Sequence, residues 1–456
     1  MTLLGPKVAA ARAIGVLARR AGRGGTSLPG KVLMRLDPHA IRDLGRRLPA
    51  GAAVISATNG KTTTAAMAAA ILEGAGHRLV HNRAGANMAG GVASTLLGAA
   101  RPGGTIDGDL GLFEVDEFWL ARVADELDPR ALLLGNLFRD QLDRYGELDT
   151  IADRWAEVAA ARAGRSALVL NADDPAIADL GRDRPAVTWF GVEDDSMALP
   201  EMQHASDAKH CRRCGHVYAY AAVYLGHLGH YRCPNCGRQR PRPDVAAERV
   251  ELHGVRGATL SLRTPAGPAT VSLPLPGLYN AYNALGAATL ALALGVDLPT
   301  VVAGLERVAA AFGRAETVEV SSRPLSIMLV KNPAGANEVL RTLALEPGQH
   351  DVLGVLNDNV ADGRDVSWVW DADWEVLATR VRRVTCGGTR AAELALRLKY
   401  AGFPPERLHV VPGLEPALDA ALADGAGPLY ALPTYTALLE LQHVLAARGL
   451  RRRYWQ

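Results

Sequence analysis

The stretch 52–72 constrains this 456-residue chain more than any other. An apolar run, Ala52-Ala53-Val54-Ile55, leads at 56–64 into Ser-Ala-Thr-Asn-Gly-Lys-Thr-Thr-Thr and then into the Ala-rich stretch 65–72. Read as a strand over 54–58 and a helix over 62–73, the segment is an anion site, because the N–H groups of the loop and the positive end of the helix converge on one point. Lys61 then reaches the outer phosphates of a nucleoside triphosphate and the Thr62 hydroxyl can coordinate Mg²⁺, so Thr58, Asn59, Gly60, Lys61, Thr62 and Thr63 are the expected binding residues. The usual pattern opens with a Gly five positions ahead of the Gly of the Gly-Lys pair, and here Ile55 takes that position. The plain alternative is a strand-to-helix turn with a surface Lys.

The short apolar runs 110–115, 131–136 and 167–171 each end in a polar residue and alternate with helical stretches. That rhythm predicts an α/β fold with a parallel sheet, whose ligands gather at the carboxyl ends of the strands. Glu114, Asp116, Asn136 and Asn171 fall at such ends. Glu114 is placed to hold Mg²⁺ beside the phosphates; a solvated acidic strand end reads equally well from spacing alone. Residues 250–275 alternate as hairpin strands do, and 278–294 return to a helical period. After Phe312-Gly313-Arg314-Ala315-Glu316 strand and helix signals start afresh, at 326–330, 351–356, 381–385, 409–411 and 429–432. The expected organisation is a helical segment over 1–48, an ATP-binding domain over 49–315 and a second α/β domain over 316–456, as the length suggests.

Four of the five cysteines form two knuckles, Cys211-Arg-Arg-Cys214 and Cys233-Pro-Asn-Cys236, each followed by Gly. This is zinc-ribbon spacing, and it marks 205–245 as an insertion in the ATP-binding domain. Four thiolates fill a tetrahedral site, so the ion is expected to be structural; sequence does not separate zinc from iron. The neighbouring His210, His216, His227 and His230 read as surface or spectator residues. Cys386 reads as a small buried residue at a strand end rather than a nucleophile.

A net charge of +2 argues for no particular partner. No apolar run is long enough to span a bilayer. The Arg-rich first 25 residues have the pattern of a targeting peptide or a surface-lying helix, but the plainer expectation is an amphipathic helix packed on the body of a cytoplasmic protein.

Several motifs occur in one order: Thr-Asn-Gly-Lys-Thr-Thr at 58–63, Asn-x-x-x-Asp-x-x-Asp-Arg-Tyr at 136–145, Asn-Ala-Asp-Asp-Pro at 171–175, Tyr-Asn-Ala-Tyr-Asn at 279–283, Gly313-Arg314 and Lys331-Asn-Pro333. Together they resemble the Mur ligase superfamily, whose members use ATP to convert a carboxylate into an acyl phosphate that an amine attacks. The four-Cys ribbon, Phe-Arg-Asp-Gln at 138–141, Lys-Asn-Pro-Ala-Gly at 331–335 and Leu-Asn-Asp-Asn-x-Ala-Asp-Gly-Arg-Asp-Val-Ser-Trp at 356–368 are similar to its MurT family, the ligase-like subunits of lipid II isoglutaminyl synthases. The resemblance implies a central ATPase domain of Mur ligase type with an inserted zinc ribbon, followed by a ligase C-terminal-like domain. It leaves no room for a separate substrate domain ahead of the phosphate loop, and it adds Asn283, Arg314 and Lys331 to the nucleotide site.

Gln141 stands where ordinary Mur ligases carry His, and Met328 and Lys331 replace the Asp and His of their Asp-x-x-His-Asn-Pro segment. No Lys lies between Lys61 and Lys209 to be carbamylated, which puts a second Mg²⁺ in doubt. The implied reaction is ATP-dependent amidation of the α-carboxyl of D-glutamate in the lipid II stem peptide, at the inner face of the membrane. Ammonia would come from a GatD-like glutaminase partner in a heterodimer. The resemblance also implies that this chain donates a carboxylate to the glutaminase's His, Asp365 first with Asp362 and Asp358 behind it; read without it, these are turn residues. The competing expectations are a stand-alone ligase of Mur or folylpolyglutamate type and a non-catalytic ATP-binding protein, which near-neutral charge disfavours as a nucleic-acid binder.

Overall fold

The computed structural model describes residues 7–450 apart from 10, 13–26, 84–85, 102–104, 141–147, 185, 204–205, 309–313, 424 and 426. A nine-stranded sheet runs in the order Gly267–Leu273, Ala258–Thr264, Val245–Leu252, Val187–Val192, Ala167–Asn171, Ala131–Leu134, Ala52–Ser56, Leu110–Glu114, Leu79–His81. From Leu79–His81 to Val245–Leu252 all neighbours are parallel, and the last two strands add an antiparallel meander. Strand Ala52–Ser56 is buried throughout, and its side chains divide between two cores: Ala53 and Ile55 face one, Ala52 and Val54 the other. Burial on both faces explains why the strand reads as a continuous apolar run.

On the first face the helix Lys61–Gly74 packs on Leu278–Ala293, nearly every residue of which is buried. On the second, Leu28–Leu36 lies along Ala89–Ala99, and Ala40–Gly45 touches both Ala89–Ala99 and Leu120–Leu127. Val8 and Ala11 are helical and buried, and Arg12 donates to the carbonyls of Leu97, Gly98 and Ala100, so the described part of the amino-terminal segment packs on the body.

A six-stranded sheet follows, in the order Arg314–Val320, Arg323–Met328, Leu429–Pro433, His350–Val355, Val381–Gly387, Leu408–Val410, antiparallel only in its first pair. Cys386 is buried on this sheet, and burial pushes its thiol up to about 12. The ribbon hairpin, Ala219–Leu225 with Leu228–Arg232, forms a separate two-stranded sheet.

Candidate functional site

A cavity of about 450 Å³ lies where the carboxyl ends of strands from both large sheets meet. Gly60 turns the phosphate loop with φ of +84°, and a Cβ there would sit 2.0 Å from Asn283 Oδ1. Only glycine permits both the conformation and the approach. Asn136, just beyond strand Ala131–Leu134, clamps the loop: its carbonyl accepts from Thr58 N (2.9 Å), its Oδ1 from Asn59 N (2.9 Å), and its Nδ2 donates to Asn59 O (3.0 Å). Phe138 N donates to Thr58 Oγ1 (3.1 Å).

Lys61 is buried and donates to Glu117 Oε2 (2.8 Å) and to the carbonyls of Ala57 and Thr58. Burial works to lower the pKa of this amine, but Glu117, with Asp116 and Asp140, overrules it and holds the group above its ordinary value. Burial likewise works to raise Glu117, and Lys61 and Lys331 hold it below the ordinary carboxylate range. The lysine is therefore cationic and the carboxylate charged. Thr62, Thr63, Glu114 and Asp116 line the same cavity, with Glu114 buried at the end of its strand.

Residues beyond 316 complete the wall. Lys331 Nζ donates to Asp140 Oδ2 (2.5 Å) and Thr58 O (3.3 Å), and Asn332 Nδ2 to Asn59 Oδ1 (2.9 Å). Asn283 Oδ1 accepts from Thr64 Oγ1 (3.2 Å), so the helix Leu278–Ala293 is latched to the phosphate-loop helix. The structure thus brings together Thr58 to Thr63, Glu114, Asn283 and Lys331. Arg314 opens the second sheet, but its side chain is outside the described residues, as are Gln141, Asp143, Arg144 and Tyr145.

The segment 357–365 leaves strand His350–Val355 and borders the same cavity through Ala361. Its three candidate acids differ in setting. Asp362 is buried and accepts from Thr436 N (2.7 Å) and Thr436 Oγ1. Asp358 pairs with Arg390 (2.8 Å) and Thr389 (2.8 Å), whose hydrogen bonds hold its carboxyl below the usual range. Asp365 is exposed and accepts from Ser367 N (2.8 Å) in a local turn, a contact that lowers its pKa.

The sulfurs of Cys211, Cys214, Cys233 and Cys236 all lie within 4.8 Å of one another, and two pairs stand 3.5 Å apart. A tetrahedral ion with metal–sulfur bonds near 2.3 Å places sulfurs about 3.8 Å apart, so the cluster fits a metal and no disulfide competes. His227 departs from the surface role expected of it: the side chain is fully buried at the tip of the ribbon hairpin. It lies 3.4 Å from Asp174, accepts from Asp207 N at Nδ1 (3.3 Å) and packs its ring 4.5 Å from that of Phe138. Phe138, Leu225 and Leu228 all line the cavity, so the ribbon hairpin is part of its wall.

A model of the Mur ligase middle domain matches residues 55–291, and one of the MurT ligase C-terminal region matches 329–438. The lipid II isoglutaminyl synthase (glutamine-hydrolyzing) subunit MurT of Streptococcus pneumoniae is 32% identical over 436 residues, 95% of each chain. The chain belongs to the MurT family. A second member, from Staphylococcus aureus, is 32% identical over 424 residues, 92% of each chain. Both relatives are named as subunits. The fold also matches a pseudomurein peptide ligase type C from Methanothermus fervidus (TM-score 0.68, 22% identity, 87% of this chain and 79% of that one). A folylpolyglutamate synthase from Mycobacterium tuberculosis matches with a TM-score of 0.61 at 18% identity, over 98% and 99%.

Within this MurT-family fold, Glu117, Asn332 and the ring of Phe138 are contacts that sequence reading did not single out. Glu117 stands in Glu-Val-Asp-Glu beside Glu114, and Asn332 inside Lys-Asn-Pro, so each neighbours an expected site residue in the sequence. Which of two neighbouring carboxylates meets Lys61 depends on how the strand end turns.

Proposed function

We propose that this chain is the ATP-using, amidating subunit of a lipid II isoglutaminyl synthase, fed with ammonia by a glutaminase partner. The observation that carries the reading is that one cavity is bordered both by the phosphate loop with Lys61 and, through Ala361, by the segment that presents Asp365 to solvent. A glutaminase docked over Asp365 would release ammonia beside the site where the acid is activated. The relatives' names favour amidation over stand-alone addition of an amino acid.

In this reading the α-carboxylate of the D-glutamyl residue attacks the γ-phosphorus of ATP, ADP leaves, and the resulting acyl phosphate carries a far better leaving group than oxide. Ammonia's lone pair then forms the C–N bond, phosphate departs with the bonding electrons, and the nitrogen sheds its surplus proton. Lys61 exchanges Glu117 for the phosphates, Asn283 and Lys331 bound the nucleotide, and Arg314 adds charge at the junction. Thr62 and Glu114 would hold Mg²⁺, which neutralises the transferring phosphoryl group. The four cysteines would hold zinc as a structural ion, and the enzyme works in the cytoplasm at the inner membrane face. Asp365 orients the glutaminase's His, with Asp362 and Asp358 tied into the fold behind it.

The test is Asp365→Asn in the reconstituted pair, with product followed by mass analysis. Glutamine-dependent amidation should fall by orders of magnitude while ammonium-dependent amidation persists. Equal loss of both would place Asp365 in the ligase site or the fold, and efficient glutamine use by the isolated chain would remove the need for a partner.

A further inference from the structure

Charge is distributed unevenly along this chain. The first 50 residues hold ten Lys and Arg against two Asp, a net of +8, whereas the remaining 406 carry forty Lys and Arg against forty-six Asp and Glu, a net of −6. One of the two aspartates, Asp37, is already paired with Lys7 at 3.1 Å. The near-neutral total therefore conceals a strongly basic module.

The helix Leu28–Leu36 displays this charge in a particular way. At 3.6 residues per turn, Lys31, Arg35, Leu28 and Leu36 share an arc of about 140°, opposite the buried Gly30 and Leu33. Both leucines are exposed, at 39% and 45%. Arg46, just beyond the next helix, is exposed as well. A single exposed leucine is ordinary on a soluble surface. Leucines set beside cations on one outward face, in a stretch of sequence with eight surplus positive charges, are what a helix needs to rest on an anionic bilayer.

The helix Leu28–Leu36 also sits at the right place. Gly30 N donates to Ser94 Oγ (2.8 Å), and a Cβ on Gly30 would lie 2.0 Å from the Gly90 carbonyl oxygen, so the helix is seated directly on Ala89–Ala99. That second helix begins immediately after Asn87 and Met88, which line the cavity. The basic face is therefore anchored to an element that rims the site. No helix among the described residues is long and apolar enough to cross a membrane, so attachment by surface contact is the form of contact these elements offer.

We propose that the outward face of Leu28–Leu36, with Arg46, is a docking surface for an anionic lipid bilayer, and that it brings the cavity to a lipid-linked substrate. The use of this surface rests on the amidation reading above; its existence does not. Each cation contributes roughly a factor of five in partitioning onto an anionic membrane, and reversing three of them should cost on the order of 100-fold or more. The interaction should weaken as salt shortens the screening length.

The experiment is co-sedimentation of the full chain with vesicles of phosphatidylglycerol and phosphatidylcholine, against vesicles of phosphatidylcholine alone, with no lipid II present. The wild type should sediment with the anionic vesicles only, and less so as NaCl rises. The variant Lys31→Glu/Arg35→Glu/Arg46→Glu should lose sedimentation while its thermal melt and its amidation of a soluble substrate lacking the polyprenyl tail stay unchanged. Should that variant misfold, Arg35→Gln/Arg46→Gln carries the test, with a loss of about 20-fold. Equal binding of the wild type to both vesicles, or undiminished binding by a folded charge variant, overturns the proposal. Loss of amidation with vesicle binding intact would instead count against the proposed reaction and leave the surface standing.

Discussion

Replacing Lys61 with Met removes a buried cation and keeps most of its volume, and the consequences for stability can be derived from its neighbours. Lys61 and Glu117 stand 2.8 Å apart, each about 10% exposed. Removing one partner of such a pair leaves an uncompensated buried charge and costs about 3–5 kcal/mol. In a co-operative unit of about 250 residues, 3 kcal/mol lowers Tm by roughly 6–12 °C. The sign of the pH dependence follows from Glu117. In the wild type its pKa is depressed in the folded chain, so it contributes stability above its unfolded value near 4.3, which is lost as pH falls through the folded value. Without Lys61, burial prevails over the more distant Lys331 and raises the pKa, so the variant loses stability as pH climbs past about 4–5. In melts without nucleotide the gap in Tm should already be present at pH 4.5, where the wild type keeps most of its contribution, and should widen toward pH 7 as the variant goes on losing stability. ATP-dependent ADP release should also fall by at least about 10²–10³. A gap independent of pH, or turnover close to wild type, would refute the assigned pairing.

Other perturbations test other parts of the wall. Gly60→Ala forces a side chain into φ of +84° and into Asn283, displacing the Thr64 contact. A left-handed penalty of about 1–2 kcal/mol plus a lost hydrogen bond of about 1 should appear in the melt, with weaker nucleotide binding by calorimetry. Cys233→Ser should abolish the metal binding proposed for the four thiolates, read by elemental analysis, and raise KM for ATP more than it lowers kcat, because the ribbon hairpin backs Phe138 through His227. Asn332→Ala removes both the contact to Asn59 and the N-cap of helix Pro333–Ala344. It should cost about 1–2 kcal/mol and weaken nucleotide binding together.

The elements legible in the sequence were those whose burial is uniform along their length. Helices 61–74 and 278–293 and strands 110–114, 131–134 and 167–171 emerge from their runs within about two residues because both faces, or nearly all of one helix, are apolar. The first strand was expected over 54–58 and occupies Ala52–Ser56, since Thr58 spends its N–H on Asn136 rather than on the sheet. Strands Leu79–His81, Val187–Val192 and Arg314–Val320 carry no comparable signal in the sequence. The first has three residues, the second is only half buried over its first three positions, and the third alternates on a sheet edge.

The site divides along the same line. Residues contiguous in the phosphate loop were readable because the backbone itself builds the anion cradle. Partners drawn from distant segments were not, and they set the electrostatics. Lys61 would be a lowered-pKa amine by burial alone, yet Glu117, fifty-six positions away, makes it a fixed cation. In the proposed reaction that carboxylate and the triphosphate compete for the same amine, so nucleotide binding includes the transfer of Lys61 between them. A carboxylate freed by that transfer stands on the same strand end as Glu114, where added negative charge favours a divalent cation over a monovalent one. In the proposed reaction the acidic sequence Glu-Val-Asp-Glu thus couples two events that its composition alone would have assigned to solvent: release of the lysine and capture of the metal with the nucleotide.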